Sequence, residues 1–381
     1  MTHAERLLVS VTVVLFFFST IRLAETEVSN NSSWAKLIEA AEKGDRHAQS
    51  EVAIAFIRGD KVKQDFAEAL TWLFKAAEQA DPIAEHNLGV MFFQGTGVRQ
   101  DLSEAVKWFE RASGHGLPQA QFNLARLCEM GIGIAQNKGR ALELYLRAAK
   151  QGYAPAQNNL GRIFEKGDGV AADPEAAKNW YTKSAQARDP IGQYNLGAAY
   201  WHGIGAPQSF TEAAKWLGLS ADQGYAKAEV ALGDLYMVGR GLQKDLHTAL
   251  TLFLQAAEQG DATAQNKLGI LYLEGDGIPI DESLAAAWFR KAADQGDEHA
   301  QANLAHLFAE GRGVERDLIN AYMWHLLSKN LSTTTRDGVF SDLASEMNQG
   351  EIAEARRRAS EWLRQHPIEL RFPRIEISPV Q

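Results

Sequence analysis

Cysteine is almost absent. Cys128 is the single one among 381 residues, so no intrachain disulfide can form. Positive charge is also short: 39 lysines and arginines stand against 48 aspartates and glutamates, a net charge of −9. No basic stripe is present to displace phosphate counterions, which argues against nonspecific nucleic-acid binding. Catalytic signatures are missing too. There is no Gly-x-Ser-x-Gly nucleophile elbow and no His-Glu-x-x-His metal motif. His299 and His306 fall seven residues apart on one expected helix. Two turns separate them by about 10 Å, too far to share one metal ion. No cofactor, metal or small-molecule substrate is expected.

What fills the chain instead is a unit of 36 residues, repeated eight times without a gap from Asp45 to about residue 330. A Gly-x-Gly turn recurs at Gly95/Gly97, Gly131/Gly133, Gly167/Gly169, Gly203/Gly205, Gly239/Gly241, Gly275/Gly277 and Gly311/Gly313. Gly59 begins the same turn in the first copy, where Lys61 replaces the second glycine. A fixed period of this length signals a stacked repeat array.

Each unit holds two helical patterns. The first reads Ala120-Gln-x-x-Leu124-Ala-x-x-Cys128 in the third copy and Ala156-Gln-x-x-Leu160-Gly-x-x-Phe164 in the fourth. Spacings of four put these side chains on one stripe. Cys128 stands where other copies have an aromatic residue, so it reads as a small buried hydrophobe. A small residue follows the leucine, glycine at 89, 161, 197, 233 and 269. Glycine inside a helix costs about 1 kcal/mol against alanine, so its recurrence points to close helix packing.

The Gly-x-Gly turn ends the first helix. A capping residue then opens the second: Asp65, Asp101, Asn137, Asp173, Ser209, Asp245, Asp281 and Asp317. Seven residues on stand Trp72, Trp108, Leu144, Trp180, Trp216, Leu252, Trp288 and Trp324, expected in the core. The unit is thus a helical hairpin. One hairpin cannot bury its own apolar face, so neighbours must stack.

The pattern Ala-Gln-x-Asn-Leu-Gly, Gly-x-Gly-Val, Asp, Ala-x-x-Trp-Phe and Ala-Ala-Glu-Gln-Gly resembles the Sel-one-like repeat, a branch of the tetratricopeptide superfamily. The resemblance covers residues 45 to 330. It implies an all-α fold, an α-α superhelix: a right-handed solenoid of helix-turn-helix repeats with the first helix of each hairpin on the concave side. It also implies a non-enzymatic adaptor for other proteins or peptides. Some exported relatives carry a disulfide in every repeat. This chain departs from them, which weakens the alternative function, a cell-wall or β-lactam hydrolase.

Outside the repeats, residues 1–24 have a charged start and an apolar run from Leu7 to Ile21. This resembles a signal peptide or, if uncleaved, a membrane tether. The expected site is therefore periplasmic, secreted or lumenal, or anchored in a membrane. A polar spacer follows at 25–33, with Asn30 and Asn31 (and Asn330 further on) starting Asn-x-Ser sequons. Residues 34–44 match the end of a second helix, a half-repeat. Helical patterns at Val339–Met347 and Glu351–Arg364, within 331–365, are expected to cap the array, with an extended tail at 366–381.

The remaining clue is the first helix. Asn87, Asn123, Asn159, Asn195 and Asn303 stand just before the repeated leucine, where the other copies have Glu51, Ala231 and Lys267. Helix propensity does not explain them. A ladder of amides could bind the backbone of an extended peptide, or could brace neighbouring hairpins. One turn on, Arg126 and Arg162, with Arg58 and Lys166, would add positive charge. Phe122, Tyr194 and Trp201 fall off the apolar stripe. They are candidate anchors for a partner, or are half-buried against the next unit.

Overall fold

The computed structural model describes residues 33–275, 277–328 and 343–366. The expected leader, the sequons, the opening of the C-terminal cap and the tail from 367 lie outside the described residues. The described chain is all helix and turn, with no strand. It divides into two compact units, one ending at Tyr153 and the other starting at Ala154.

In the first unit a helix at 33–42 precedes three hairpins: Arg46–Arg58 with Phe66–Glu78, Pro82–Gln94 with Leu102–Gly114, and Pro118–Met130 with Lys138–Lys150. In the second unit five hairpins follow in order. They are Ala154–Lys166 with Pro174–Gln186, Pro190–His202 with Phe210–Ala221, Ala226–Val238 with Leu246–Glu258, Ala262–Glu274 with Glu282–Asp294, and Glu298–Glu310 with Leu318–Ser328. Helix Gln349–Gln365 packs on the last of these. First helices of successive repeats also touch, as Ala154–Lys166 does Pro190–His202.

Each boundary has a local cause. Asp81 accepts from the backbone N–H groups of Ile83 and Ala84, with Pro82 preset for the first turn. At the other end Gly95 takes φ 72°, and its N–H closes on Met91 O at 2.8 Å. The second glycine has a further reason. A Cβ on Gly133 would meet Leu102 O, at the start of the preceding second helix, at 2.4 Å. Each second-helix cap then returns its own N–H to the first helix, Asp101 to Phe92 O and Asp317 to Phe308 O among them. All eight capping side chains accept a backbone N–H.

The core forms where the two helices cross. The repeated leucines Leu88, Leu124, Leu160, Leu196, Leu268 and Leu304 are buried, as are the alanines that recur every 36 residues on the second helices, from Ala69 and Ala105 to Ala321. The glycine after the leucine faces a ring in four copies and Leu217 in the fifth, at Gly197. A Cβ on Gly161 would lie 2.4 Å from Tyr181, and one on Gly269 would lie 2.5 Å from Phe289. Full burial of such a ring stabilises by about 1.5–3 kcal/mol, which outweighs the roughly 1 kcal/mol cost of helical glycine.

That arrangement corrects the reading of the tryptophans. Trp324 is 1% exposed, but Trp72, Trp108, Trp180, Trp216 and Trp288 are only half-buried. The next residue along, Leu73, Phe109, Tyr181, Leu217 or Phe289, holds the core position. One residue further turns the side chain about 100° round the helix, from the flank to the interior. The half-buried indoles instead carry cations on their faces: Lys75 4.2 Å from Trp72, Arg111 4.5 Å from Trp108, Lys183 4.0 Å from Trp180 and Lys291 3.9 Å from Trp288. Cys128 is buried, and burial pushes its thiol pKa up. At the C-terminal helix, Arg357 and Arg358 pair with Glu354, holding that carboxyl down at about 2.

Candidate functional site

The asparagines before the repeated leucines do not form an open ladder. Asn87 and Asn123 are buried. Asn195 is half-buried and donates Nδ2 to Asn158 Oδ1 of the preceding repeat at 2.6 Å. Asn303 does the same to Asn266 Oδ1 at 3.0 Å. Asn123 Nδ2 donates to His86 Nε2 at 3.0 Å, which leaves the ring proton on Nδ1. Each partner lies 37 residues back, one column earlier in the repeat. These amides brace neighbouring hairpins, and the expectation that they face a partner is corrected for Asn87 and Asn123. Asn159 is half-buried, and the residue 37 before it is Phe122, which has no amide.

Asn87 is the exception among the buried pair. Ser50, 37 residues before it, gives its hydroxyl to Asp81 Oδ1 at 2.9 Å instead. Neither amide atom of Asn87 makes a hydrogen bond. Beside it lies His86, wholly buried, with a pKa lowered to about 4 by burial, against a smaller opposing effect of the Asn87 amide.

The same hairpin holds a buried charge. Most copies have glutamine two residues before the asparagine column, and the second copy has Glu85. Its Oε1 accepts from Arg111 Nε at 3.0 Å, and His115 Nε2 lies 3.7 Å from Oε2. Burial pushes the Glu85 carboxyl up, while Arg111 and His115 pull it down less strongly. Where glutamine is present it stitches the array. Gln79 donates to Gln49 Oε1 at 2.9 Å, and Gln49 in turn donates to Ala41 O at 3.0 Å. Gln295, Gln265 and Ala257 repeat the relay at 2.8 and 3.1 Å. The sequence reading missed this relay, although both glutamines stand in the quoted pattern.

The other candidates are half-buried. Phe122 packs edge-on against Tyr145 and Tyr153, with Arg126 5.6 Å from its ring centre. Tyr194 packs on Tyr225, and Trp201 on Phe210. Arg162 lies near the Tyr181 ring, whose hydroxyl donates to Glu165 at 2.7 Å. Arg58 and Lys166 are exposed. Among the described residues no three His, Cys, Asp or Glu side chains are grouped to hold a metal. A Ser-x-x-Lys spacing occurs at Ser33 and Lys36, a motif the sequence reading overlooked, but both are exposed on the first helix. No described helix is long and apolar enough to cross a membrane.

Stacked hairpins with capped ends, glycine–ring contacts and amide braces define a tandem helical-repeat protein. The chain belongs to the Sel1 repeat family: the Sel1 repeat matches at 46–81, 82–117, 118–153, 154–189, 190–225, 226–261, 262–297 and 298–332. It is similar to a Sel1 repeat protein from Oxalobacter formigenes, with 30% identity over 87% of this chain and 89% of that one, and a TM-score of 0.57. It is also similar to a protective antigen of uropathogenic Escherichia coli that displays an SLR fold. There the identity is 28% over 87% of this chain and 86% of that one, with a TM-score of 0.45. No curated protein matches.

Proposed function

We propose that this protein is a non-enzymatic scaffold, exported or tethered to a membrane, that holds a segment of a partner protein against its first helices. Sel1 repeat proteins are commonly interaction scaffolds, and the contrast between two columns of the repeat supports that role here. The interior column is leucine in seven of eight copies, from Leu88 to Leu304. Two residues after it, the column reads Ile54, Val90, Arg126, Arg162, Ala198, Asp234, Ile270 and His306. Packing demands the first column and leaves the second to vary, as a recognition surface would. In the second unit every member of that column is half-buried, so part of each side chain is open to a partner. The apolar run at 7–21 supports export or tethering.

A photo-crosslinking residue placed singly at Arg162, Ala198 or His306 tests the surface, with Thr182 and Thr251 on second helices as controls. The first group should trap one common protein in cells and the controls none. Equal capture from both groups would overturn the reading. N-terminal sequencing of the mature chain decides between a cleaved leader and a tether.

A further inference from the structure

The first repeat carries a cleft of about 170 Å³ lined by Glu51, Ile54, Ala55, Arg58, Asp60 and Lys61. Ile54 and Ala55 form a buried apolar floor. The four charged side chains around it make no ion pair among the described residues. Lys61 stands where seven other copies have a left-handed glycine, yet it does not adopt a positive φ. The turn of this copy therefore follows a different backbone path from the rest.

The charges are sorted along the helix. Glu51 and Arg58 are seven residues apart on helix Arg46–Arg58, with the apolar floor between them. Seven residues span about 10 Å along the axis. Glu51 makes one end negative. Arg58, Lys61 and Asp60 make the other end positive by one charge. The carbonyls that would oppose an anion at the helix end are occupied: Gly59 N–H bonds Ala55 O at 2.9 Å, and Gln64 Nε2 bonds Ile57 O at 2.7 Å. Opposite charges at the two ends, an apolar floor between them and a volume of about 170 Å³ suit a small zwitterion with an apolar middle.

We propose that this cleft binds a small free zwitterion, its ammonium on Glu51 and its carboxylate on Arg58 and Lys61. The cleft shares Ile54 with the variable column of the first helices, but its binding of a small zwitterion does not rest on the partner reading. Lys61 Nζ lies 6.0 Å from the ring centre of Trp34, which supplies a reporter. Calorimetry and Trp34 fluorescence on the full chain should detect Ala-Ala with a dissociation constant near or below the millimolar range. N-acetylation, C-amidation, Arg58→Gln with Lys61→Gly, or Glu51→Gln should each weaken it at least fivefold, with the helical circular dichroism unchanged. Charge-reversing both ends together, Glu51→Lys with Arg58→Glu, should restore part of the binding. Binding that survives N-acetylation but not C-amidation would overturn the proposal in favour of a protein C-terminus. Absence of binding, or indifference to all four changes, would also overturn it.

Discussion

Asn87 and Asn303 occupy the same column in two different copies of the repeat, yet they stand in opposite circumstances. Asn303 is half-exposed and bonded to Asn266. Asn87 is fully buried and has no hydrogen-bond partner in the preceding repeat. The residue 37 positions back decides the outcome: an asparagine for one, a serine already committed to Asp81 for the other. A repeated residue therefore has no fixed role in an array. Its worth is set by what the preceding repeat offers.

Substitutions at the two hairpins sharpen that contrast. The largest effect is expected at His86. Its folded pKa of about 4 lies below its ordinary value of 6.5, so the unfolded chain takes up the proton first as pH falls. Stability from this group is full above pH 6.5 and is lost down to about pH 4. The loss is about 2 kcal/mol by pH 5 and about 3 kcal/mol by pH 4. Glu85 works in the opposite direction, because burial raises its carboxyl. His86→Asn keeps an acceptor for Asn123, as Asn158 does for Asn195, and removes the titration. Urea midpoints at pH 7 and pH 5 should converge in the variant relative to the parent.

Asn87→Ala should stabilise the second hairpin by about 1–2 kcal/mol, because two buried groups without partners are removed and helix propensity improves. Asn303→Ala should cost about 1 kcal/mol, because Asn266 loses its donor. Hydrogen exchange in the two hairpins reads both, and the signs should differ. Smaller still is the effect at Ala80 and Arg188, which take φ of 57° and 65° where most copies carry glycine. Changing either to glycine should raise the thermal midpoint by a degree or more, reflecting at most about 1 kcal/mol of relieved strain.

Much of the fold was legible in the chain because its signals are local. Capping residues, the first glycine of each turn and the leucine column act within one hairpin, and a 36-residue period displays them in seven or eight copies. The glycine at 161 announced close packing, although its partner Tyr181 could not be named from spacing. The tryptophans were misplaced by one residue, which is about 100° of helix. The asparagine brace was harder to see for a geometric reason. Reading columns at a period of 36 compares Asn195 with Asn159, whereas its bond goes to Asn158, one column over. The glutamine relay hides in the same way, at separations of 30 and 8 residues. Nothing in the sequence set Glu85 apart, since its burial and its Arg111 partner, 26 residues on, appear only in the fold.

A double-mutant cycle tests most directly the claim that the preceding repeat sets each asparagine's role. Alanine at Asn158, at Asn195 and at both should give a coupling of about 1 kcal/mol in unfolding free energy, while the matched cycle at Ser50 and Asn87 should give a coupling within about 0.3 kcal/mol of zero. Equal coupling in the two cycles, or none at Asn158 and Asn195, would contradict it.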